Sequence, residues 1–326
     1  LPTAAILPLG ALIAANLAAW LWAAAAFADR PALLGSALLA WLFGLRHAVD
    51  ADHLAAIDNV VRKLMQDGQQ PRLAGLFFSL GHASVVILAA ALIAATASNA
   101  AIDSFQPVGG IIGTSVSSLF LLLIALANLR TLLGLLRRTH QHVHPTGGLL
   151  ARLLRPALNL IRRPSHMFPL GFLFGLGFDT ATEVGLLALA ATQAAAGVSF
   201  LQVLIFPALF TVGMALVDTA DSVLMVGAYG WAFADPARKR TYNIAVTAIS
   251  VVLALGIAGI QAAGLLAEQT GWRGRAATLV ETAADGIANL GFGIIALFVC
   301  AWAMAAVLYR RRVVATASAR SAHPPP

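Results

Sequence analysis

Long apolar runs separated by short polar breaks set the pattern of this chain. Eight runs qualify as membrane spans, at residues 4–28, 33–61, 73–97, 109–136, 168–194, 200–231, 242–267 and 282–309. A helix needs about 20 mainly apolar residues to cross the hydrocarbon core. The breaks carry turn chemistry, as in Asp29-Arg30-Pro31, Gly68-Gln69-Gln70-Pro71 and Ala234-Asp235-Pro236. The pattern predicts an all-α polytopic membrane protein with eight transmembrane helices, a single transmembrane domain over residues 1–326. Ala26-Phe27-Ala28 resembles a signal-peptide cleavage site. The run before it lacks a basic stretch and is long enough to cross, so it is expected to remain as the first span.

Composition narrows the class. The chain is 60% hydrophobic and 11% charged, with a mean hydropathy of +0.83; soluble domains are about 25% charged. That much apolar surface cannot be hidden in a soluble core of this size, which excludes a soluble enzyme. The single cysteine, Cys300, excludes an intrachain disulfide and any Cys-rich metal centre.

The net charge of +7 follows from topology. With the N-terminus inside, Arg62, Lys63 and Arg72, seven arginines from Arg130 to Arg163, the Arg238–Arg240 cluster and four C-terminal arginines all fall on the cytoplasmic side. That gives 17 Lys and Arg inside against three outside, Arg30, Arg273 and Arg275, with Arg46 within a span. The asymmetry predicts both termini in the cytoplasm and removes any need for a nucleic-acid partner. The longest loop, 139–167, is basic and mildly amphipathic around Leu149–Arg163, as suits a segment lying on the anionic inner leaflet. It also holds His140, His142 and His144, a run that can collect metal or simply be solvated.

Polar groups inside the spans carry the chemistry. Span two contains Arg46, His47, Asp50, Asp52, His53, Asp58 and Asn59, and span three contains His82. Span five contains Asp179, Thr180, Thr182 and Glu183, and span six contains Asp218, Thr219 and Asp221. An Asp at a helix centre costs about 2.5–3.5 kcal/mol on insertion scales. One such residue can be a packing group, but seven carboxylates with three histidines must face a protein interior or aqueous cavity, and their excess negative charge points to a cation. Imidazole plus carboxylate without thiolate suits nickel, cobalt or zinc; magnesium and calcium want oxygen shells, and copper(I) wants Cys and Met.

The segment Leu45-Arg46-His47-Ala48-Val49-Asp50-Ala51-Asp52-His53 resembles the H-x4-D-H signature of the nickel/cobalt transporter (NiCoT) family, of the high-affinity nickel permease type. Phe78-Ser79-Leu80-Gly81-His82, Leu176-Gly177-Phe178-Asp179-Thr180-Ala181-Thr182-Glu183 and Gly213-Met214 through Asp218-Thr219-Ala220-Asp221 resemble its other motifs, in the same order. Ala83 departs from the Ser or Thr expected after the histidine, a position that can tune selectivity. The resemblance implies eight helices and uptake of Ni²⁺ or Co²⁺ across the cytoplasmic membrane. It also implies that His47, Asp52 and His53 are indispensable. No Walker A pattern is present, so the chain encodes no ATPase, and by the resemblance none is required as a partner. The cation is cargo, and no cofactor is expected.

The helical period conflicts with that ligand set. At about 100° per residue, a straight helix puts His47, Asp50 and His53 on one face and sends Asp52 away. Asp52 joins the histidines only if the helix breaks or bulges near 48–52, and Asp50 is the ligand otherwise. His82 completes the expected metal set. Arg46, Asp58, Asn59, Asp179, Thr180, Glu183, Asp218 and Asp221 are expected to orient ligands or line the ion path. Leu42-Phe43-Gly44-Leu45 recurs as Leu173-Phe174-Gly175-Leu176, and Phe78 through Ala83 resembles Phe210 through Ala215, offsets of 131 and 132. These pair spans two and three with five and six as an inverted repeat, or else reflect chance in a chain rich in Leu, Phe, Gly and Ala. An efflux transporter of the related nickel/cobalt group is the alternative function, which the loop histidines suit. An intramembrane metalloenzyme is more remote: H-E-x-x-H is absent and three intramembrane histidines are too few for a di-iron site.

Overall fold

A computed structural model describes residues 3–96, 98, 100–137, 161–178, 180–233, 236–280, 282–284, 286, 291–296 and 300. Among these the protein is helical throughout. The elements are α1 (Thr3–Ala26), α2 (Pro31–His47), α3 (Ala51–Gln66), α4 (Ala74–Thr96), α5 (Ala100–Arg137), α6 (Met167–Gly175), α7 (Ala181–Ala195), α8 (Phe200–Val203), α9 (Ile205–Phe233) and α10 (Pro236–Thr270). Further helical residues follow at 275–280, 282–284 and 291–296.

Five helices are long and apolar enough to cross a membrane, and a bent pair, α2 with α3, makes a sixth candidate. Expected span eight, 282–309, lies mostly outside the described residues, as do His140, His142 and His144 of the loop. The first run is held within the bundle. Asn16 on α1 donates to the carbonyl of Val212 at 3.0 Å and accepts from the Trp41 indole at 2.9 Å, tying α1 to α9 and α2.

The two spans expected to be richest in polar residues are not continuous helices. Span two bends by 51° between α2 and α3. Asp50 has extended backbone (φ −67°, ψ 143°) and caps α3, its carboxylate accepting from the amide of Ala51 at 3.1 Å. An Asp at this position stabilises the helix start, and Asp52 in the first turn sits favourably on the helix dipole. The carbonyl of Val49, freed by the break, lies against Gly291, where any side chain would overlap it.

Span five separates likewise into α6 and α7. Thr180 is extended (φ −87°, ψ 142°) and caps α7, and Phe178 adopts a left-handed φ of 46°. For a bulky residue that conformation is uncommon and marks a backbone held by its surroundings. Here α5 holds it. Gln106 donates to the carbonyl of Phe178 at 3.2 Å, and Gly113 faces Gly177 so closely that an added Cβ would sit 2.6 Å from the Gly177 nitrogen. Gly113→Val is therefore expected to destabilise the protein by about 1–3 kcal/mol through overpacking. A lowered Tm of the detergent-solubilised chain is the measurement.

Around the breaks, α2 and α6 are the first half-helices of their spans, and each packs along a full span. Helix α2 lies on α9, and α6 lies on α4.

Candidate metal site

Three histidines from two spans meet beside the first break. His47 is the last residue of α2, His53 lies in the first turn of α3 and His82 lies within α4. All three are buried, at 1%, 2% and 2% exposure, and each offers a ring nitrogen within 4.8 Å of the others. The break explains the meeting. On an unbroken helix the two span-two histidines would be separated by more than a full turn of rise. The bend instead folds the start of α3 back so that their rings stand edge to face, with centroids 4.6 Å apart. Phe210 packs beside His47 at 5.4 Å and Phe78 beside His53 at 4.8 Å; both phenyl rings are fully buried and keep water from the histidines.

The hydrogen-bond pattern around the trio is that of a place prepared for a cation. Thr180 donates its hydroxyl proton to Glu183 Oε2 at 2.8 Å, so toward His47 Nδ1, 3.3 Å away, it accepts. Thr182 lies 3.0 Å from the same nitrogen. In the tautomer with its proton on Nδ1, facing Thr180, His47 keeps its lone pair on Nε2. That lone pair points at His82 Nε2, 2.8 Å away, and so does Glu183 Oε1, also at 2.8 Å. Two acceptors aimed at one atom are met either by the His82 Nε2 proton shared between them or by a metal ion among the three. Ligand atoms bound cis to an ion at about 2.1 Å lie about 3 Å apart, which matches this spacing.

Helices α4 and α9 build the other wall. Asp218, fully buried, accepts from Ser79 Oγ at 2.6 Å through Oδ2, which stands 3.8 Å from His53 Nδ1. That is beyond hydrogen-bonding range, and His53 Nδ1, His82 Nδ1 and Asp218 Oδ1 are buried without a hydrogen-bond partner among the described residues.

Of the five ligands expected from sequence, the structure gathers His47, His53 and His82, and leaves Asp50 and Asp52 outside that group. The break that Asp52 was expected to need is present, yet it directs Asp52 elsewhere. Asp52 accepts from the amide of His53 at 2.9 Å, from Ser117 at 3.3 Å and from Gln261 at 3.2 Å, facing α5 and α10. Asp50 is engaged as the cap of α3.

Among the residues assigned to a second layer, Thr180, Glu183 and Asp218 border the trio. Arg46 lies over the Phe292 ring at 5.7 Å. Asp58, Asn59 and Asp221 lie further along, and Asp179 falls outside the described residues. Two contributors escaped the sequence reading. Thr182 read as one more polar residue of span five, though its place in Thr180-x-x-Glu183 marks a helix start. Arg62, a cytoplasmic-side charge by sequence, is 1% exposed. Its spacing of four from Asp58 was the available signal.

Residues 33–308 match the family described as high-affinity nickel-transport protein. The chain is 53% identical over 319 residues to the hydrogenase nickel incorporation protein HupN of Bradyrhizobium diazoefficiens, covering 93% of this chain and 84% of that protein. It is 51% identical over 328 residues to a high-affinity nickel transport protein of Cupriavidus necator, covering 95% and 93%. It is also 39% identical over 287 residues to the cobalt transport protein NhlF of Rhodococcus rhodochrous, covering 83% and 81%. No solved structure matches the chain. The family match takes in the broken span two, the His82 helix and the Glu183 and Asp218 walls alike, and with it the chain belongs to the high-affinity nickel-transport protein family.

Proposed function

We propose that this chain is a secondary transporter that takes up Ni²⁺ or Co²⁺ across the cytoplasmic membrane. The observation that carries the reading is the convergence of His47 Nε2, His82 Nε2 and Glu183 Oε1, with His53 alongside, at a break in a membrane helix. Neutral imidazole with carboxylate is the donor set that first-row divalent ions from cobalt to zinc prefer. The names of the relatives divide between nickel and cobalt, so both ions are candidate cargo. Inward movement of a dication is favoured by the membrane potential, about 2.3 kcal/mol per charge per 100 mV, so no ATPase subunit is needed. Uptake of ⁶³Ni²⁺ and ⁵⁷Co²⁺ by cells expressing the chain, each with the other metal as competitor, tests the reading. Accelerated metal loss from loaded cells without uptake would replace it with efflux.

The architecture proposed is a single transmembrane domain of eight helices, both termini cytoplasmic, built on an inverted repeat of spans two and three with five and six. Several observations support the repeat. The break at 48–50 and the one at 176–180 overlap when the first is shifted by 131 residues, the shift that matches Asp52 with Glu183. Gly81 on α4 meets the backbone of Phe172 on α6, and Gly213 on α9 meets the backbone of Trp41 on α2. These two contacts are related by the same offsets, 132 for the glycines and 131 for their partners. Two broken helices facing one buried site are a recurrent design of secondary transporters.

The cytoplasmic loop 139–167 is proposed to modulate transport and not to carry it. Replacing His140, His142 and His144 together with Ala is expected to leave at least half of the uptake rate. Complete loss at normal expression would assign the loop an obligatory metal-collecting step.

A further inference from the structure

Beyond the histidine trio, α3 carries a second pair of buried charges. Asp58 and Arg62 are each 1% exposed and stand one helical turn apart, about 7 and 13 Å further along α3 than His53 at 1.5 Å per residue. A buried carboxylate and a buried guanidinium so placed ordinarily pair directly, because separating them leaves each charge to be compensated alone. Here no ion pair within 4.0 Å joins them among the described residues. Asp58 accepts from the Tyr229 hydroxyl at 2.7 Å and from Ser250 at 2.8 Å. Arg62 donates to Thr247 at 2.7 Å and to Asn59 at 2.8 Å, and its Nε is buried without a partner. Asn128 donates to the same Asn59 oxygen, at 2.5 Å, and holds it in place. Helices α3, α5, α9 and α10 all contribute to this arrangement.

We propose that Asp58 is a second station for the transported dication on the cytoplasmic side of the trio, and that Arg62 is the tethered cation that balances it when empty and drives the ion onward. The inference rests on the uptake reading given above. Its direction follows from α3, whose last turns lead to Lys63 and Gln69, hydrogen-bonded to the carbonyls of Ile161 and Arg162 at the end of the basic loop.

The chemistry fits an exit. A hydroxyl that donates to the empty carboxylate keeps its own lone pairs, so Tyr229 and Ser250 can turn those oxygens toward an ion without moving the backbone. Carboxylate and hydroxyl oxygens hold nickel and cobalt less tightly than imidazole does, and an ion leaves only from a site weaker than the one before it. Because Arg62 is held on Thr247 and Asn59, the Asp58 oxygens are met by hydroxyls and by no guanidinium within ion-pair distance. At one turn's distance the guanidinium still repels a dication that arrives there. On α9, Asp218 Oδ1 and Asp221 Oδ2, both buried and unpartnered, lie in sequence between the level of His53 and that of Tyr229. They are the acidic groups along the step between stations.

The test is equilibrium binding of ⁶³Ni²⁺ to the purified full-length chain in lipid nanodiscs, paired with cellular uptake. Arg62→Gln is expected to bind one more ion per chain than the unaltered protein, because the station no longer repels it. Adding Asp58→Asn should remove that extra ion. Uptake by Arg62→Gln should fall at least tenfold while Arg62→Lys keeps most of it. An Arg62→Gln protein that binds no extra ion and transports normally would overturn the proposal. If Arg62→Gln fails to fold, Asp58→Asn alone decides: the trio's ion retained with uptake reduced at least tenfold supports the station, and undiminished uptake refutes it. His47→Ala separates the two readings, since unchanged nickel binding in that variant counts against the trio and not against Asp58.

Discussion

Alanine at His47, His53 or His82 is expected to abolish high-affinity uptake, lowering the rate at submicromolar nickel by more than about 100-fold; the loss of a partner outside the ligand shell typically costs 10–100-fold. Each ring offers a nitrogen to one buried group, and the gap left by alanine is walled by Phe78 and Phe210. His53→Ala in particular should still reach the membrane, because His53 Nδ1 makes no hydrogen bond that the fold would lose among the described residues. Surface expression measured beside ⁶³Ni²⁺ uptake distinguishes the outcomes. Normal uptake by any of the three at normal expression would remove that residue from the site. Protons compete with the metal for the same imidazole lone pairs, so nickel binding by the unaltered chain should weaken as pH falls.

The second large effect is expected at Glu183. Its carboxylate reaches His82 through Oε1 and the Thr180 hydroxyl through Oε2, so one side chain both orients a histidine and locks the start of α7. Glu183→Gln keeps the shape and removes the charge that balances the incoming dication. Nickel affinity should fall by about 10–100-fold, as for a carboxylate that supports a metal-binding histidine. Asp52→Asn makes the instructive contrast. Its oxygens are engaged by the amide of His53, Ser117 and Gln261 and not by the trio. Nickel should therefore still bind, while uptake falls because α3 loses its link to α5 and α10. Equilibrium binding measured against uptake for the two variants separates these roles, and loss of binding in Asp52→Asn would return that residue to the ligand set.

Much of this protein is legible along the chain. Hydrophobic run length marks the long helices because the bilayer fixes how many apolar residues a span needs, and the clustered His, Asp and Glu of spans two, three, five and six mark a cation site because nothing else offsets their burial. The break in span two is legible only as a condition, needed near 48–52 if Asp52 is to join His47 and His53, with Asp50 the ligand of a straight helix; the structure has the break, with Asp52 turned elsewhere.

Which carboxylate serves which partner was decided only in three dimensions. Helical period tells which residues share a face of one straight helix, but the 51° bend gives α3 a new phase, and that phase sends Asp52 toward α5 and α10. The carboxylate that reaches the histidines comes instead from Glu183, 101 residues from His82 in the chain, because α7 restarts beside α4 after its own break. Arg62 shows the same limit from the other side. A basic residue near the end of a span reads as a loop charge, and it becomes a buried partner of Thr247 and Asn59 only because α10 packs antiparallel beside α3. Sequence determined that a divalent cation must be accommodated within the membrane, because burial cost is a property of residue type. Tertiary structure decided which of those side chains meet one another, because contact depends on where two broken helices restart.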